Sequence, residues 1–373
     1  MNDRLDVVVL HGAIWAELET AALRWRFVAP RLLSLGLAER VTVVDFPHFR
    51  RRAMLDPRFP LVRELGRDAT GFRVLDATVP GGDRPRPVDR VGWARVGRAI
   101  AAALGPAAGR RIAISASPLW VPVLAHLDVD RRGFDAEDDW RCYDGVAHLA
   151  GRVGDGYRRA AGLDAVTANS GELVARLWAD FGLAVTHVGN GVDRGAFAHP
   201  GPPPAGLPDR PFAVYVGTIQ SRVDLGMLEA AARRLGAELP VVLAGPAGPE
   251  FTARLDAGPW TWLGPVPHEQ VPGLLAAAAV GLLPHRRNAF TDSMEPLKLL
   301  EYLAAGLPVV ASRVAGVNGW GPAVTVVDSG TEMADAVRAA AQAPPDPARS
   351  RQLVADRDWD DVTRRLLARH AGG

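Results

Sequence analysis

The sequence predicts an α/β chain of two doubly wound domains, each a parallel sheet covered on both faces, facing each other across a cleft. Three observations predict it. Short continuous apolar runs alternate with amphipathic segments through both halves, the pattern of strands buried on two faces and helices buried on one. The alternation breaks once, at the proline-rich stretch HPGPPPAGLPDRP over 199–211, which can hold neither a helix nor a central strand. The length, 373 residues, suits two domains of ordinary size.

In the first half, strands are expected at 5–10, 40–46, 110–115, 129–134, 164–168 and 185–188. Helical periodicity covers 17–35, closed by Gly36, and then 118–127, 141–162 and 170–181. Arg50, Arg51 and Arg52 fall in a loop, and 80–87, rich in Gly, Pro and Arg, reads as a surface turn. After the proline stretch, strands are expected at 212–216, 240–244, 260–263, 280–284, 308–311 and 323–327. Helices are expected at 225–235, 268–279, 295–305 and 331–341, with a terminal one at 359–368. The expected division is a first domain 1–198, a stiff linker 199–211, a second domain 212–355 and a closing segment 356–373. Ligands of such sheets bind beyond the carboxyl ends of the strands.

Composition narrows the classes. A formal net charge of +1 gives no argument for a nucleic-acid partner. The single cysteine, Cys142, excludes a disulfide framework and a multi-cysteine metal site. The N-terminal MNDRLDVVVLHG lacks the basic start and long apolar run of a signal peptide. No run approaches the roughly 20 apolar residues of a membrane span. A cytoplasmic protein is expected, with peripheral membrane contact left open. Of 43 basic residues, 42 are arginine and one is lysine, the bias of a high-GC genome. The one lysine, Lys298, lies in DSMEPLKLLEYLAAGLPVVAS.

Lysine is a compact point charge on a flexible stem, suited to a phosphate oxygen in a tight space. On a helix, Lys298 and Glu301 project from one face. The helix would start beyond a strand end, where free amides and the macrodipole favour an anion. A diphosphate there would meet those amides and Lys298, and Glu301 could accept from a ribose diol. Spacing alone equally permits an ordinary surface ion pair.

PLKLLEYLAAGLPVVAS resembles the donor-site motif of GT-B glycosyltransferases, particularly those similar to glycosyltransferase family 4 with a Pro-Leu-Lys-x-x-Glu-Tyr entry. The resemblance implies two Rossmann-like domains, the second binding a nucleotide sugar, with the closing helix opened by Trp359 crossing back to the first. Of the family's two motif glutamates, the second matches Glu301, and the first falls on Ser293, with Glu295 out of register. FAVYVGTIQSRVDLGML is similar to the family's first donor-domain strand, giving Gly217 for the close backbone approach and Arg222 for the diphosphate. WTWLGPVPHEQVPGLLAAAAVGLLPHRRN is similar to the next stretch. There the backbone at Val266 would meet the nucleobase, and His285 and Arg286 follow a strand into the site. In the first half the likeness is looser. VTHVGNGVDRGAF resembles the family's Asn-Gly-Val-Asp passage, and Gly12 fits its glycine loop facing the donor. FDAEDDW resembles an acidic stretch that makes Asp138 and Asp139 candidate bases for an acceptor hydroxyl, should the enzyme invert. Trp15 and Arg24-Trp25-Arg26 are placed on the acceptor side.

The reading is a metal-independent hexosyl-type glycosyltransferase acting in bacterial cell-envelope polysaccharide, glycolipid or natural-product synthesis. Its donor is expected to be a UDP-sugar, with GDP- and dTDP-sugars as alternatives, and no cofactor or metal is expected. Its partners would be that donor and a sugar, lipid-linked sugar or small-molecule acceptor, with no nucleic acid. Two other readings stand beside it: an inactive nucleotide-sugar-binding homologue with a regulatory role, and a nucleotide-sugar epimerase on the same fold. A dinucleotide-dependent dehydrogenase is disfavoured because no Gly-x-Gly-x-x-Gly follows the first strand.

Overall fold

The structure is a computed structural model that describes residues 5–16, 23–56, 58–82 and 89–372. They form two compact units: one holds the described residues up to 189 together with 359–372, the other holds 190–358.

The first unit is built on nine strands: β1 Leu5–Leu10, β2 Arg40–Val44, β3 His48–Arg50, β4 Val62–Arg67, β5 Phe72–Pro80, β6 Arg110–Ser115, β7 Arg131–Ala136, β8 Ala165–Ala168 and β9 Thr186–His187. They join in the order β3-β5-β2-β1-β6-β7-β8-β9. All these pairings are parallel, and β4 adds to β5 antiparallel at the edge. β1 lies between β2 and β6, so Val7, Val8 and Val9 are fully buried. That is why this strand reads as a continuous apolar run.

Several elements differ from expectation. The hairpin β4–β5 was not foreseen, because β4 is an exposed edge strand, half of whose residues are charged. The helix Asp89–Leu104 was also unforeseen. Gly92 and Gly97 sit on its buried face, and a Cβ at Gly92 would stand 2.5 Å from the Pro80 carbonyl oxygen. These glycines read as breakers in sequence and act as contact points in the fold. The helix expected over 141–162 is two 3₁₀ turns, Trp140–Cys142 and Asp144–Leu149, followed by the helix Ala150–Ala160. Asp139 accepts from the Arg141 N–H and caps a short turn, offering the backbone an alternative to helix. Arg50 ends β3 and Arg52 opens the short helix Arg52–Leu55, where a loop was expected. Helix Arg24–Ser34 occupies the later part of the expected 17–35; residues 17–22, and 83–88 of the expected turn, lie outside the described residues.

The closing helix, Trp359–Ala371, packs within this first unit. Its Trp359 stacks on Phe27 with ring centroids 4.9 Å apart and planes at 10°. Arg31 donates to Asp360 at 3.1 Å. Inside, Thr167 donates to Asp135 at 2.6 Å and has His370 Nε2 at 3.0 Å.

The second unit carries β10 Ala213–Val216, β11 Val241–Ala244, β12 Thr261–Trp262, β13 Val280–Leu283, β14 Val309–Ser312 and β15 Val324–Val327. This six-stranded sheet runs β12-β11-β10-β13-β14-β15 and is parallel throughout. The chain lays strands outward from β10 to one side and then restarts at β13 on the other. That reversal opens a crevice at the carboxyl ends. The helix expected over 295–305 runs Leu297–Ala305, with Pro296 as its N-cap; proline disfavours helix in the residue before it. Gly306, at φ +84, closes it. The helix expected over 268–279 splits into the 3₁₀ turn His268–Gln270 and the helix Val271–Ala277, with Pro272 in its first turn.

The units divide after Gly189, whereas the sequence placed the boundary at the proline stretch. Val192 donates to the Arg357 carbonyl at 2.8 Å, and Asn190 Nδ2 donates to the Glu295 carbonyl at 2.9 Å. These bonds fix 190–192 in the second unit. The prolines 202–204 also belong to it. A Cβ at Gly273 would stand 2.5 Å from the Gly201 carbonyl oxygen, so this stretch packs on the helix Val271–Ala277.

Candidate functional site

The clearest site lies at the carboxyl ends of β10 and β11. Each strand ends in a glycine with positive φ, Gly217 at +149 and Gly245 at +139. The two turns touch: a Cβ on Gly245 would stand 2.2 Å from the Gly217 carbonyl oxygen. Only glycine fits there, both for its backbone angle and for the space. The result is a floor of bare backbone. Val216, Gly217, Ala244, Gly245, Pro246, Val266, His268, Val271 and Lys298 line a concavity of about 370 Å³, open to solvent, above it.

Lys298 is positioned by its helix. Tyr302, fully buried one turn further on, accepts from the Val216 N–H at 2.9 Å, which pins the helix Leu297–Ala305 to the end of β10. The Lys298 Cε consequently lies 3.5 Å from where a Gly217 Cβ would be. Lys298 Nζ donates to Glu301 Oε2 at 3.1 Å, with the side chains 18% and 6% exposed. The helix has no side-chain N-cap; the Leu299 N–H turns back to the Pro296 carbonyl at 3.1 Å, and the amides of Leu297 and Lys298 are the ones at its open end. The concavity thus joins a cation, a helix N-terminus and glycine backbone, and no carboxylate is among its lining residues.

Three of the residues read from the sequence, Gly217, Val266 and Lys298, meet here, with Glu301 behind Lys298. Arg222 and His285 lie together beside the end of β13, outside this lining. Val223 bridges His285, and the Arg222 carbonyl accepts from the Arg286 N–H at 2.7 Å. Burial, and then the Arg222 charge, lower the His285 pKa to about 3, so the ring is neutral. Its Nδ1 has no hydrogen-bond partner among the described residues. Arg286 is exposed. Ser293 is fully buried, and its hydroxyl donates to the Phe290 carbonyl at 2.7 Å. Glu295 is engaged elsewhere: its carboxylate accepts from the Asn190 N–H and from Arg357 Nη1 at 3.2 Å.

In the first unit, Gly12 follows β1, and a Cβ there would stand 2.6 Å from Trp140 Cζ2, so the position is set by the indole. Asp139 is 1% exposed, held by Arg141 Nη2 at 2.8 Å with Arg176 Nη1 at 3.7 Å. A carboxylate so engaged has its oxygens taken by guanidinium groups rather than turned to a ligand. Asp138 is half-buried. Arg24 and Trp25, expected on an acceptor surface, are instead interior. Both reach Asp135, the Trp25 indole donating at 3.1 Å and Arg24 pairing at 3.1 Å. Trp15 lies against Phe72, centroids 5.1 Å apart.

Sequence reasoning passed over Gly245, Pro246 and His268. The signal for Gly245 was available, a glycine ending a strand as Gly217 does. His268 carried none.

Comparisons with known proteins bear on the fold and on the second unit's family. Residues 210–343 match the family model described as Glycosyl transferases group 1. Over 108 residues the chain is 28% identical to the putative teichuronic acid biosynthesis glycosyltransferase TuaH of Bacillus subtilis (strain 168), a match covering 28% of this chain and 27% of that protein. The chain therefore aligns with about a quarter of that curated relative's length. Solved structures align along nearly the whole chain. The sucrose-phosphate synthase of Thermosynechococcus elongatus has a TM-score of 0.68 at 17% identity, covering 97% of each chain. An E. coli structure, titled as trehalose-6-phosphate bound with UDP-2-fluoro glucose, has 0.67 at 12%, covering 97% of this chain and 98% of that one. A glycosyltransferase from Rickettsia africae has 0.69 at 12%, covering 100% and 99%. The chain has a GT-B fold, and its segment 210–343 matches the family model of the group 1 glycosyl transferases.

Proposed function

We propose that the chain is a metal-independent glycosyltransferase of the family 4 type, moving a hexosyl group from a UDP-sugar to an acceptor hydroxyl. The observation that carries this reading is Lys298 standing over the paired glycine turns at the N-terminus of its helix. When the sugar transfers, the bond from the anomeric carbon to the diphosphate breaks and the acceptor oxygen takes its place. The departing diphosphate gathers negative charge, and preorganised donors aimed at that charge lower the barrier. Lys298 and the helix amides are those donors; the Gly217 N–H is given to the Ala244 carbonyl at 2.8 Å, so that glycine supplies space for a close approach, and Arg222 lies beside the end of β13. The base sits against Val266, and Glu301 accepts from the ribose. If the reaction inverts the anomeric centre, a carboxylate must take the acceptor proton. Asp138 is the better of the two candidates, because Asp139 is engaged by Arg141 and Arg176.

The family domain over 210–343 supports a nucleotide-sugar donor. TuaH, named for teichuronic acid biosynthesis, supports a role in bacterial envelope polysaccharide, with a cytoplasmic setting and a sugar or lipid-linked acceptor. Ser293 favours a second reading. Its hydroxyl is buried where the family has a glutamate, which fits a homologue that binds the donor without turnover.

Thermal unfolding with UDP, GDP and dTDP tests the donor. UDP is expected to raise the melting temperature most, as a ligand of the folded state must. No shift with any of the three overturns both readings. A shift without sugar release in the presence of varied acceptors selects the second, and epimerised sugar without acceptor would replace the first with an epimerase.

A further inference from the structure

At the edge of the first unit, β3, the helix Arg52–Leu55 and the hairpin β4–β5 present a surface that no part of the donor reading uses. Arg50, Arg51, Arg52 and Arg58 are all exposed there, and none is paired with a carboxylate among the described residues. Arg63 and Arg67, further along, do have partners in Asp76 and Glu64. Among the arginines stand aliphatic side chains that the fold leaves in water: Leu55 is 86% exposed and Val91 59%. Leu55 and Val91 lie by the same end of one helix. Arg95 Nη1 donates to the Ala53 carbonyl at 2.7 Å and so ties the helix Asp89–Leu104 to Arg52–Leu55. Val91 is one turn before Arg95 on that face.

The geometry points to a docking surface for an anionic phospholipid bilayer, with the unpaired arginines against the headgroups and Leu55 and Val91 entering the acyl boundary. The choice of occupant follows from the mixture. A soluble polyanion would use the guanidinium groups and leave the aliphatic side chains in water. A second copy of the chain would have to bring carboxylates, and Asp56, the one beside Leu55, is turned to accept from the Arg58 N–H at 2.9 Å. A bilayer with anionic lipid uses both features, charge at the headgroups and apolar burial just beneath. This surface holds whether or not the donor assignment does.

The test is co-sedimentation of the full chain with vesicles. Wild type is expected to bind vesicles containing about one third phosphatidylglycerol, to ignore pure phosphatidylcholine, and to be released by high salt. Replacing Arg50, Arg51 and Arg52 together by Gln should lower binding about a hundredfold. Leu55→Gln should lower it about tenfold, through loss of apolar insertion alone. All four positions are exposed, and an unchanged melting temperature confirms that each variant is folded. Equal binding to both vesicle types, or anionic binding unaffected by the triple change, overturns the proposal. So does a wild-type dimer, seen by analytical ultracentrifugation and lost in the triple variant, without vesicle binding.

Discussion

Lys298 and Glu301 depend on each other before any ligand arrives. Glu301 is 6% exposed, and its carboxylate accepts from the ammonium at 3.1 Å. Removing the lysine leaves a buried, unpaired charge, a defect that costs about 3–5 kcal/mol when complete and less at a partly hydrated pair. Lys298→Ala is therefore expected to lower the melting temperature, and adding Glu301→Gln should restore it. Donor affinity should not return with it. A double variant that recovers both stability and UDP affinity would show the pair to be structural only. The pairing type was legible in the sequence, because spacing puts both residues on one helix face. What spacing could not supply was Tyr302, whose bond to the Val216 N–H decides which strand end the lysine reaches. Ser293 was legible only as a departure from a motif; its bond to the Phe290 carbonyl is a product of the fold.

At the scale of elements, the site depends on turns more than on side chains. Gly245→Ala puts a Cβ about 2 Å from the Gly217 carbonyl oxygen and demands a φ that alanine avoids. The expected result is a loss of about 2 kcal/mol or more in urea unfolding, with nucleotide binding lost as the floor shifts. Glu295 makes a second test. Its carboxylate ties the entry of the helix Leu297–Ala305 to Asn190 and Arg357. Glu295→Ala should destabilise by about 1–3 kcal/mol, and Glu295→Gln by less, since the amide oxygen still accepts from the Asn190 N–H. Equal losses would show that the tie to Arg357 dominates. Parallel strands buried on both faces were read from sequence nearly to the residue, as β1 and β6 show. The exposed hairpin β4–β5 was not, because an edge strand carrying charge has no apolar period to read. The helix Asp89–Leu104 was missed because its closest contacts are glycines.

At the scale of the molecule, acid sensitivity follows from buried imidazoles. Burial holds His11 and His370 near pKa 4, and His285 near 3. In the unfolded chain each titrates near 6.5. As pH falls through 6.5 the unfolded state takes up protons that the folded state refuses, so stability present above that pH is lost below it. Each histidine contributes a slope of up to about 1.4 kcal/mol per pH unit. Glu137 opposes them. Burial, then Asp135 and Asp138, raise its carboxyl well above 4.5, so its contribution falls as pH rises above that value. Three groups outweigh one, and the urea midpoint should drop between pH 7 and 5. Glu137→Gln should raise the midpoint at pH 7, where its ionisation opposes folding. A midpoint flat from pH 7 to 5 contradicts the burial of the three rings.

The claim on which the function rests is that Lys298 holds a diphosphate. Calorimetric titration of wild type and Lys298→Ala with UDP and with uridine tests it most directly. A charge-assisted bond to phosphate predicts that the variant loses about tenfold to a hundredfold in UDP affinity while its affinity for uridine stays the same. Undiminished UDP binding, or an equal loss for both ligands, would contradict it.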